Sequence, residues 1–524
     1  METRITGNPH GLLLYDYPAS PCARRVRITL VEKGLAWDTQ QIDLSRLEQR
    51  HPDYLAINPN GLVPVLAHGE RVLWESSVIT QYLDDAFPQP RLYPDDPWEL
   101  AQVRAWQGAA QAMGKDYRPL LYQRLIGPIV RAKHSLEETL AIARLSTQEP
   151  ADLHWEARVW NLAVLTPSEQ EDTEERLYAW LDELEDALHG RVWLVGERFS
   201  QAEISVYPPV AMLPHLGISI DEVRYPRTRA WMHRLENRPS FVQTLTKQDK
   251  ALQKLARSGV LAWLGRVVAL APRQRTLWQK AGLRVLRGML LKADRANAPR
   301  AGRRQPIRKP QPARVPPASR TRPLWPVDLR MAAQPYVLRA DEAAPETAAL
   351  RRLLNELGLT CAFEPGPRDG STVLRHGLRE VRDVGAIAEY AAAVTGDDRW
   401  FPRDIHLLAR ARMWLAFDEA MHKEYLPLAW EKRPGANRPR FDRTPEHARA
   451  LLRARLDTVE AELSSRPYLL GPRPCFADLA LHARFSTFPG LGIAIGSGSH
   501  PAVREWLRRL EPVHAEADET IRVR

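Results

Sequence analysis

The chain reads as two copies of one two-domain unit, each a small mixed α/β domain followed by an all-helical domain, with the second copy degenerate. Three observations predict this. The sequence repeats itself at constant offsets, its first 90 or so residues alternate short apolar strands with helices, and a helical period takes over from Pro94. At 524 residues the chain also exceeds what one core supports.

The repeat comes first, because it sets the architecture. Residues 92–120 match 400–428 at an offset of 308, pairing Pro94 with Pro402, Trp106 with Trp414, Tyr117 with Tyr425 and Pro119 with Pro427. Further on, at an offset of 275, Leu177, Leu181, Leu184 and Leu188 pair with Leu452, Leu456, Val459 and Leu463. Both sets follow the spacing of one helical face. The same offset pairs Gly196 with Gly471, Glu203 with Asp478, Pro226 with Pro501, Trp231 with Trp506 and Leu235 with Leu510. The 33-residue difference between the offsets places an insertion in the first copy, between Leu120 and Leu177.

In the first copy, Leu12 to Tyr15 form an apolar strand. Pro18 and Pro21 then make a turn, and a helix runs to Lys33, closed by Gly34. Further strands are expected at Gln40 to Ile42, Val63 to Leu66 and Arg71 to Trp74, with a helix from Ser76 to Ala86. The expected domains are an α/β domain over 10–90, a helical domain over 91–250, a basic amphipathic segment over 251–295 and a linker over 296–330. A degenerate α/β domain over 331–398 and a second helical domain over 399–520 follow. Pro, Arg, Ala and Gln dominate 296–326, a composition that cannot bury enough apolar area to order itself.

The net charge of +10 is uneven. Residues 251–330 hold 19 Lys and Arg against Asp294 and Asp328, a net +17, which leaves about −7 on the rest. A nucleic-acid reading of the whole-chain charge is therefore disfavoured, and no binding motif accompanies the basic segment. Over 259–295 apolar residues alternate with Arg and Lys. That pattern suits either a helix pair on an anionic membrane surface or a helical tail packed on the domains. Cys22, Cys361 and Cys475 lie far apart without metal spacing, so reduced thiols and no metal site are expected. With no apolar run of about 18 residues and no basic or apolar leader pattern, a cytoplasmic protein is expected, with the inner membrane face as a peripheral contact.

Three motifs carry chemistry. Ser20, Pro21 and Cys22 precede a helix reading Arg25, Val26, Arg27; Asn58 to Pro64 reads NPNGLVP; and Glu75, Ser76 and Ser77 open a helix that continues through Ile79 and Tyr82. A residue at a helix N-terminus meets free amides and the positive dipole end, which stabilise a thiolate or a carboxylate. Ser76 read on position alone is a helix cap, and Cys22 read alone is a small buried hydrophobe.

Together these motifs, over about residues 10–245, resemble a glutathione transferase, with a thioredoxin-like N-terminal domain and an all-α C-terminal domain. The resemblance implies a cis bond between Val63 and Pro64 that frees the Val63 backbone to pair with glutathione as an added strand. It also implies that Ser76 holds the γ-glutamyl carboxylate, that Glu75 takes the ammonium group, and that Gln49 and Arg50 meet the glycine end. For the sulfur, Ser20 matches the hydroxyl of serine-type members, and Cys22 matches a cysteine of resembling reductive dehalogenases. Ile126, Gly127, Pro128, Arg131 and Ala132, then Trp155, Thr166 and Pro167, resemble the bacterial β-aryl etherase branch; tetrachlorohydroquinone dehalogenases share a similar insertion. Trp106, Tyr117, Trp155 and Trp160 are candidates for an aromatic acceptor pocket, although the recurrence of Trp106 and Tyr117 favours packing for that pair.

The second copy loses the motifs. Ala344 stands opposite Ser20, Glu346 opposite Cys22, Thr372 opposite Pro64 and Val384 opposite Ser76, while Asp383 opposite Glu75 keeps a carboxylate. The expected activity is attack of the glutathione thiolate on a hydrophobic, electrophilic aromatic carbon. The alternatives are reductive dehalogenation through Cys22 and a non-catalytic glutathione-binding scaffold. The second copy is expected to pair with the first as an internal pseudo-dimer.

Overall fold

The computed structural model describes residues 8–246, 250, 267, 276–297, 307–310, 335–366, 372–377, 379–397, 399–431, 444–496 and 498–511. The chain divides into a unit of 1–83 with 106–315 and a unit of 84–105 with 316–524.

In the first unit, β1 (Leu12–Asp16), α1 (Pro21–Glu32), β2 (Asp38–Gln41), α2 (Pro52–Leu55), β3 (Val65–His68), β4 (Arg71–Trp74) and α3 (Ser76–Ala86) follow in order. The sheet runs β2-β1-β3-β4, with β1 parallel to β2 and antiparallel to β3. Both faces of the central strands are covered, so Leu12, Leu14, Val65 and Leu66 are fully buried and β1 reads as a continuous apolar run. Strand β3 begins at Val65 rather than Val63, because Pro64 has no N–H to give to the ladder. Ser20 and Pro21 start α1, and Gly34 at φ 63° ends it.

The helical half holds α4 (Pro97–Leu121), a π-helical turn at Tyr122–Ile126, α5 (Gly127–Lys133), α6 (Leu136–Arg144), α7 (Pro150–Asn161), α8 (Pro167–Ala187), α9 (Gln201–Val210), α10 (Pro226–Glu236) and α11 (Pro239–Gln243). Leu177, Leu181, Leu184 and Leu188 are buried on or just beyond α8, as their spacing requires. The buried helix α9 is held at its start by a capping box between Ser200 and Glu203, and Glu203 also accepts the Leu194 N–H at 2.6 Å. Helices α5 to α7 are the insertion. A Cβ on Gly127 would lie 2.6 Å from the Val159 carbonyl oxygen and 2.9 Å from that of Tyr122, so only glycine allows α7 and the π turn to approach this closely.

Helix α12 (Leu277–Asn297) belongs to the basic segment. Arg287 Nε donates to the Lys133 carbonyl at the end of α5, at 3.1 Å, while Trp278 and Val285 are 88% and 59% exposed. Most of 259–275, the first half of the amphipathic expectation, lies outside the described residues. Among the described residues no helix is long and apolar enough to cross a membrane. Where the sequence reads only a linker, Arg308 is tied to the sheet: its N–H donates to Gln40 Oε1 at 2.7 Å, and its carbonyl accepts from the Tyr15 hydroxyl.

The second unit repeats the sheet, in the order β6-β5-β7-β8. Its α/β part runs β5 (Tyr336–Ala340), α13 (Pro345–Glu356), β6 (Cys361–Pro365), β7 (Val373–His376), β8 (Arg379–Arg382) and α14 (Val384–Thr395). Helices α15 (Ile405–Glu431), α16 (Pro445–Leu463), α17 (Phe476–Phe485) and α18 (Pro501–Leu510) follow, and α16 buries Leu452, Leu456, Val459 and Leu463. Asp478 takes the role of Glu203, accepting from the Cys475 and Leu469 amides and from Trp506 Nε1. Residues 84–105 pack in this unit, which cuts across the division that the repeat predicts near residue 90. The physical reason is a buried charge cluster: Arg412 lies 2.9 Å from Glu389 and 3.1 Å from Asp85, and Arg104 lies 2.6 Å from Glu389. Two cations offset two carboxylates there, and removing either arginine would leave an uncompensated buried charge.

Candidate active site

Ser20 caps α1, its Oγ accepting the Ala23 N–H at 3.2 Å. Cys22 follows in the first turn as a half-buried free thiol. Both therefore stand where free amides and the helix dipole favour a negative sulfur. Tyr117 of α4 is buried within electrostatic reach of Cys22; burial first, and then that thiol, push its hydroxyl above the ordinary range.

The Val63–Pro64 bond is cis, and Val63 lies just outside the β3 ladder. Glu75, at φ 70°, makes the turn from β4 into α3. Ser76 is the first residue of α3, and its Oγ accepts from Arg25 Nη1 at 3.1 Å, while Arg25 Nη2 donates to the Ser205 carbonyl at 3.1 Å. A hydroxyl that accepts from a guanidinium keeps its own hydrogen to donate. Ser76 thus offers an O–H and a helix-start N–H beside a buried cation, a set that suits a carboxylate. Arg25 lies three residues after Cys22, and nothing in the sequence joins it to Ser76.

Gln49 and Arg50 sit in a 3-10 turn between β2 and α2. A Cβ on Gly61 would meet Arg50 Nη1 at 2.9 Å and the Gln49 carbonyl at 3.0 Å, so this turn lies against the loop that carries Val63. Gln49 Oε1 is buried without a hydrogen-bond partner among the described residues, as an atom awaiting a ligand donor would be. Arg50 Nε instead reaches Asp152 Oδ1 of the insertion at 3.4 Å. The Ser146 hydroxyl donates to the Arg46 carbonyl at 2.9 Å, a second tie between the insertion and this turn.

The insertion sorts the aromatic candidates. Trp160 packs, donating Nε1 to the His134 carbonyl at 2.9 Å with Arg131 4.7 Å over its ring. Trp155 meets Tyr122 edge to face at 5.3 Å. Asp152 and Glu156 escaped the sequence reading, although their spacing of four along a helix was a usable signal.

In the second copy the corresponding place is filled. Ala344, without a side-chain cap, precedes α13, and Glu346 stands where Cys22 does in the first copy. Arg484 lies 2.6 Å from Glu346, and its Nε and Nη2 bind Asp418 at 2.5 and 3.0 Å. His422 Nδ1 is 3.1 Å from the same Glu346 oxygen, and Arg484 lies 5.3 Å over the Tyr425 ring. At the two repeat offsets, Asp418, His422 and Arg484 replace Ala110, Gly114 and Pro209, small residues exchanged for a charged network. Asp383, at φ 79°, spends its carboxylate on capping α14 through the Ala386 N–H at 2.9 Å.

The sequence model for the glutathione S-transferase N-terminal domain matches residues 14–91, and that for the C-terminal domain matches 151–239 and 418–512. A probable maleylacetoacetate isomerase of Vibrio cholerae is 30% identical over 234 residues, which cover 44% of this chain and 94% of that protein. Protein URE2 of Candida glabrata is 26% identical over 250 residues, covering 45% of this chain and 67% of the relative. Among solved structures, β-etherase LigF from a Sphingobium strain is 26% identical with a TM-score of 0.41, covering 45% of this chain and 98% of that one. A glutathione transferase homologue from Drosophila mojavensis, solved with bound glutathione, is 22% identical with a TM-score of 0.37, covering 47% and 96%.

Proposed function

The chain belongs to the glutathione S-transferase family, and from that premise we propose that its first copy binds glutathione and directs the thiolate at an electrophilic aromatic acceptor. One observation carries the reading: in the first copy Ser76 is braced by Arg25 and the Val63–Pro64 bond is cis, while at the start of α13 in the second copy, the place that Cys22 holds in the first, Glu346 is bound by Arg484. Ser76 and Glu75 hold the γ-glutamyl end, Val63 pairs with the cysteinyl backbone, and Gln49 with Arg50 meets the glycine end. Ser20 stabilises the sulfur. Positioning and thiolate stabilisation at the helix start supply the catalysis.

The second copy acts as an internal pseudo-dimer partner. The buried set of Asp85 and Arg104 with Glu389 and Arg412 supports this, since Arg104 and Arg412 are equivalent positions of the two copies. Incubating the intact protein with glutathione and 1-chloro-2,4-dinitrobenzene, and separately with a β-aryl ether, tests the activity. The expected product is a thioether formed one for one with the leaving group. Release of halide or phenol with oxidised glutathione and no thioether favours the reductive alternative through Cys22. Glutathione binding without turnover favours a scaffold.

A further inference from the structure

Residues 307–310 are held on the first sheet through the backbone of one residue, Arg308. Tyr15 of β1 and Gln40 of β2 are partners in the parallel register, so their side chains stand side by side on one face of the sheet. Gln40 Oε1 accepts the Arg308 N–H at 2.7 Å, and the Tyr15 hydroxyl donates to the Arg308 carbonyl. Two buried side chains thus take both main-chain groups of a single residue. The Arg308 guanidinium adds little, since it comes to 4.0 Å from Asp38 with both side chains more than half exposed. In the second copy the matching seat is open. Leu12 pairs with His68 as Tyr336 pairs with His376, which sets Arg339 opposite Tyr15, and both Arg339 and its parallel partner Glu364 are exposed.

Tyr15 leads from this seat to the loop that carries Val63. Its ring meets that of Tyr54 in α2 edge to face, with centroids 6.2 Å apart. The Tyr54 hydroxyl donates to the Leu62 carbonyl at 2.7 Å, and Asn58 Nδ2 donates to the same oxygen at 2.8 Å. Both donors belong to buried residues. The Leu62 carbonyl and the Val63 N–H are opposite ends of one planar trans peptide. Fixing the oxygen on one side therefore fixes the direction of the N–H on the other, and Val63 is the residue proposed above to pair with glutathione. From Arg308 to that peptide, every link is a hydrogen bond or a ring contact.

We propose that residues 307–310 form a strap that positions the Val63 loop through Tyr15 and Tyr54, so that seating the strap tightens glutathione binding. The proposal rests on the glutathione reading above. Tyr15, Tyr54 and Arg308 are positioning residues, and none of them is placed against the tripeptide itself. The coupling is reciprocal: glutathione holds the strap down by the same factor by which the strap tightens glutathione. A segment whose composition reads as a plain linker thereby becomes part of the site, and the first copy depends on chain that lies beyond its helical domain.

Two variants of the full-length protein test the strap from its two sides. Tyr15→Phe removes the hydroxyl and keeps the ring against Tyr54. Arg308→Pro removes the N–H given to Gln40, on a segment outside the domain core, so the domain stays folded. Each is expected to raise the dissociation constant for glutathione, measured by titration calorimetry, about 3- to 10-fold, the change that one net hydrogen bond supports. With 1-chloro-2,4-dinitrobenzene as acceptor, the KM for glutathione should rise by a similar factor while kcat stays within about twofold, a split that a general loss of structure would not give. The double variant should bind no more weakly than the worse single variant, because both changes unseat one strap. Unchanged glutathione affinity in either variant, or losses that add in the double variant, overturns the proposal and leaves the reading above in place. Failure of the unaltered chain to bind glutathione overturns that reading and the proposal together.

Discussion

Replacing Arg484 with methionine is expected to destabilise the second unit by about 3–5 kcal/mol, the cost typical of breaking a buried ion pair from one side. Arg484 is fully buried, and it faces two carboxylates, Asp418 and Glu346. Burial pushes the Glu346 carboxyl up, but the Arg484 guanidinium and then His422 outweigh it and hold the group well below the usual carboxylate range. Without the guanidinium, burial dominates at both acids and raises them above unfolded values of about 4. Stability gained by protonating such groups is complete below that pH and lost as pH rises through the raised values. The deficit of the variant should therefore shrink as pH falls from about 7 toward 4. Denaturant melts, together with hydrogen exchange over α17, measure both effects. The triple replacement Arg484→Met, Asp418→Leu, Glu346→Leu should recover most of the loss, because it removes the guanidinium together with both carboxylates that it faces. A pH-independent loss under 1 kcal/mol would show that the network does not fill the site as described.

Replacing Ser20 with alanine is expected to slow thioether formation by about 10 to 10³-fold, comparable to losing one preorganised donor to a developing anion. The stability cost should be only about 1 kcal/mol, that of a lost helix cap, so the protein remains folded. The thiol of bound glutathione, followed by its thiolate absorbance, should titrate at higher pH in the variant. Cys22→Ala should change the rate little, since a reaction that forms a thioether needs no resolving thiol. The reverse ranking, with a mixed disulfide trapped at Cys22 and detected by its mass, would make the chemistry reductive.

Much of the architecture was legible because it is written in periodicity. The four apolar positions on and just beyond α8, and their partners on α16, are buried at the spacing that announced them. The constant offsets foretold two sheets of the same strand order. The glutathione motifs were local in sequence, so their positions could be read. Their bracing could not. Arg25 reaches Ser76 and Ser205 across 51 and 180 residues, and no periodicity encodes such a contact. The docking of Arg308 on Tyr15 and Gln40 was hidden for the same reason, and composition alone pointed to a free linker. The second copy shows the opposite case. Its losses were plain one residue at a time, yet the filling of the space by Asp418, His422 and Arg484 emerges only when α15 and α17 are brought onto the start of α13.

The most direct test of the account is the stoichiometry of glutathione binding to the intact chain, measured by titration calorimetry. One site per chain is predicted, removed by the double replacement Glu75→Ala, Ser76→Ala and unaffected by Asp383→Ala in the second copy. Two sites per chain, or a single site that survives the double replacement, would contradict it.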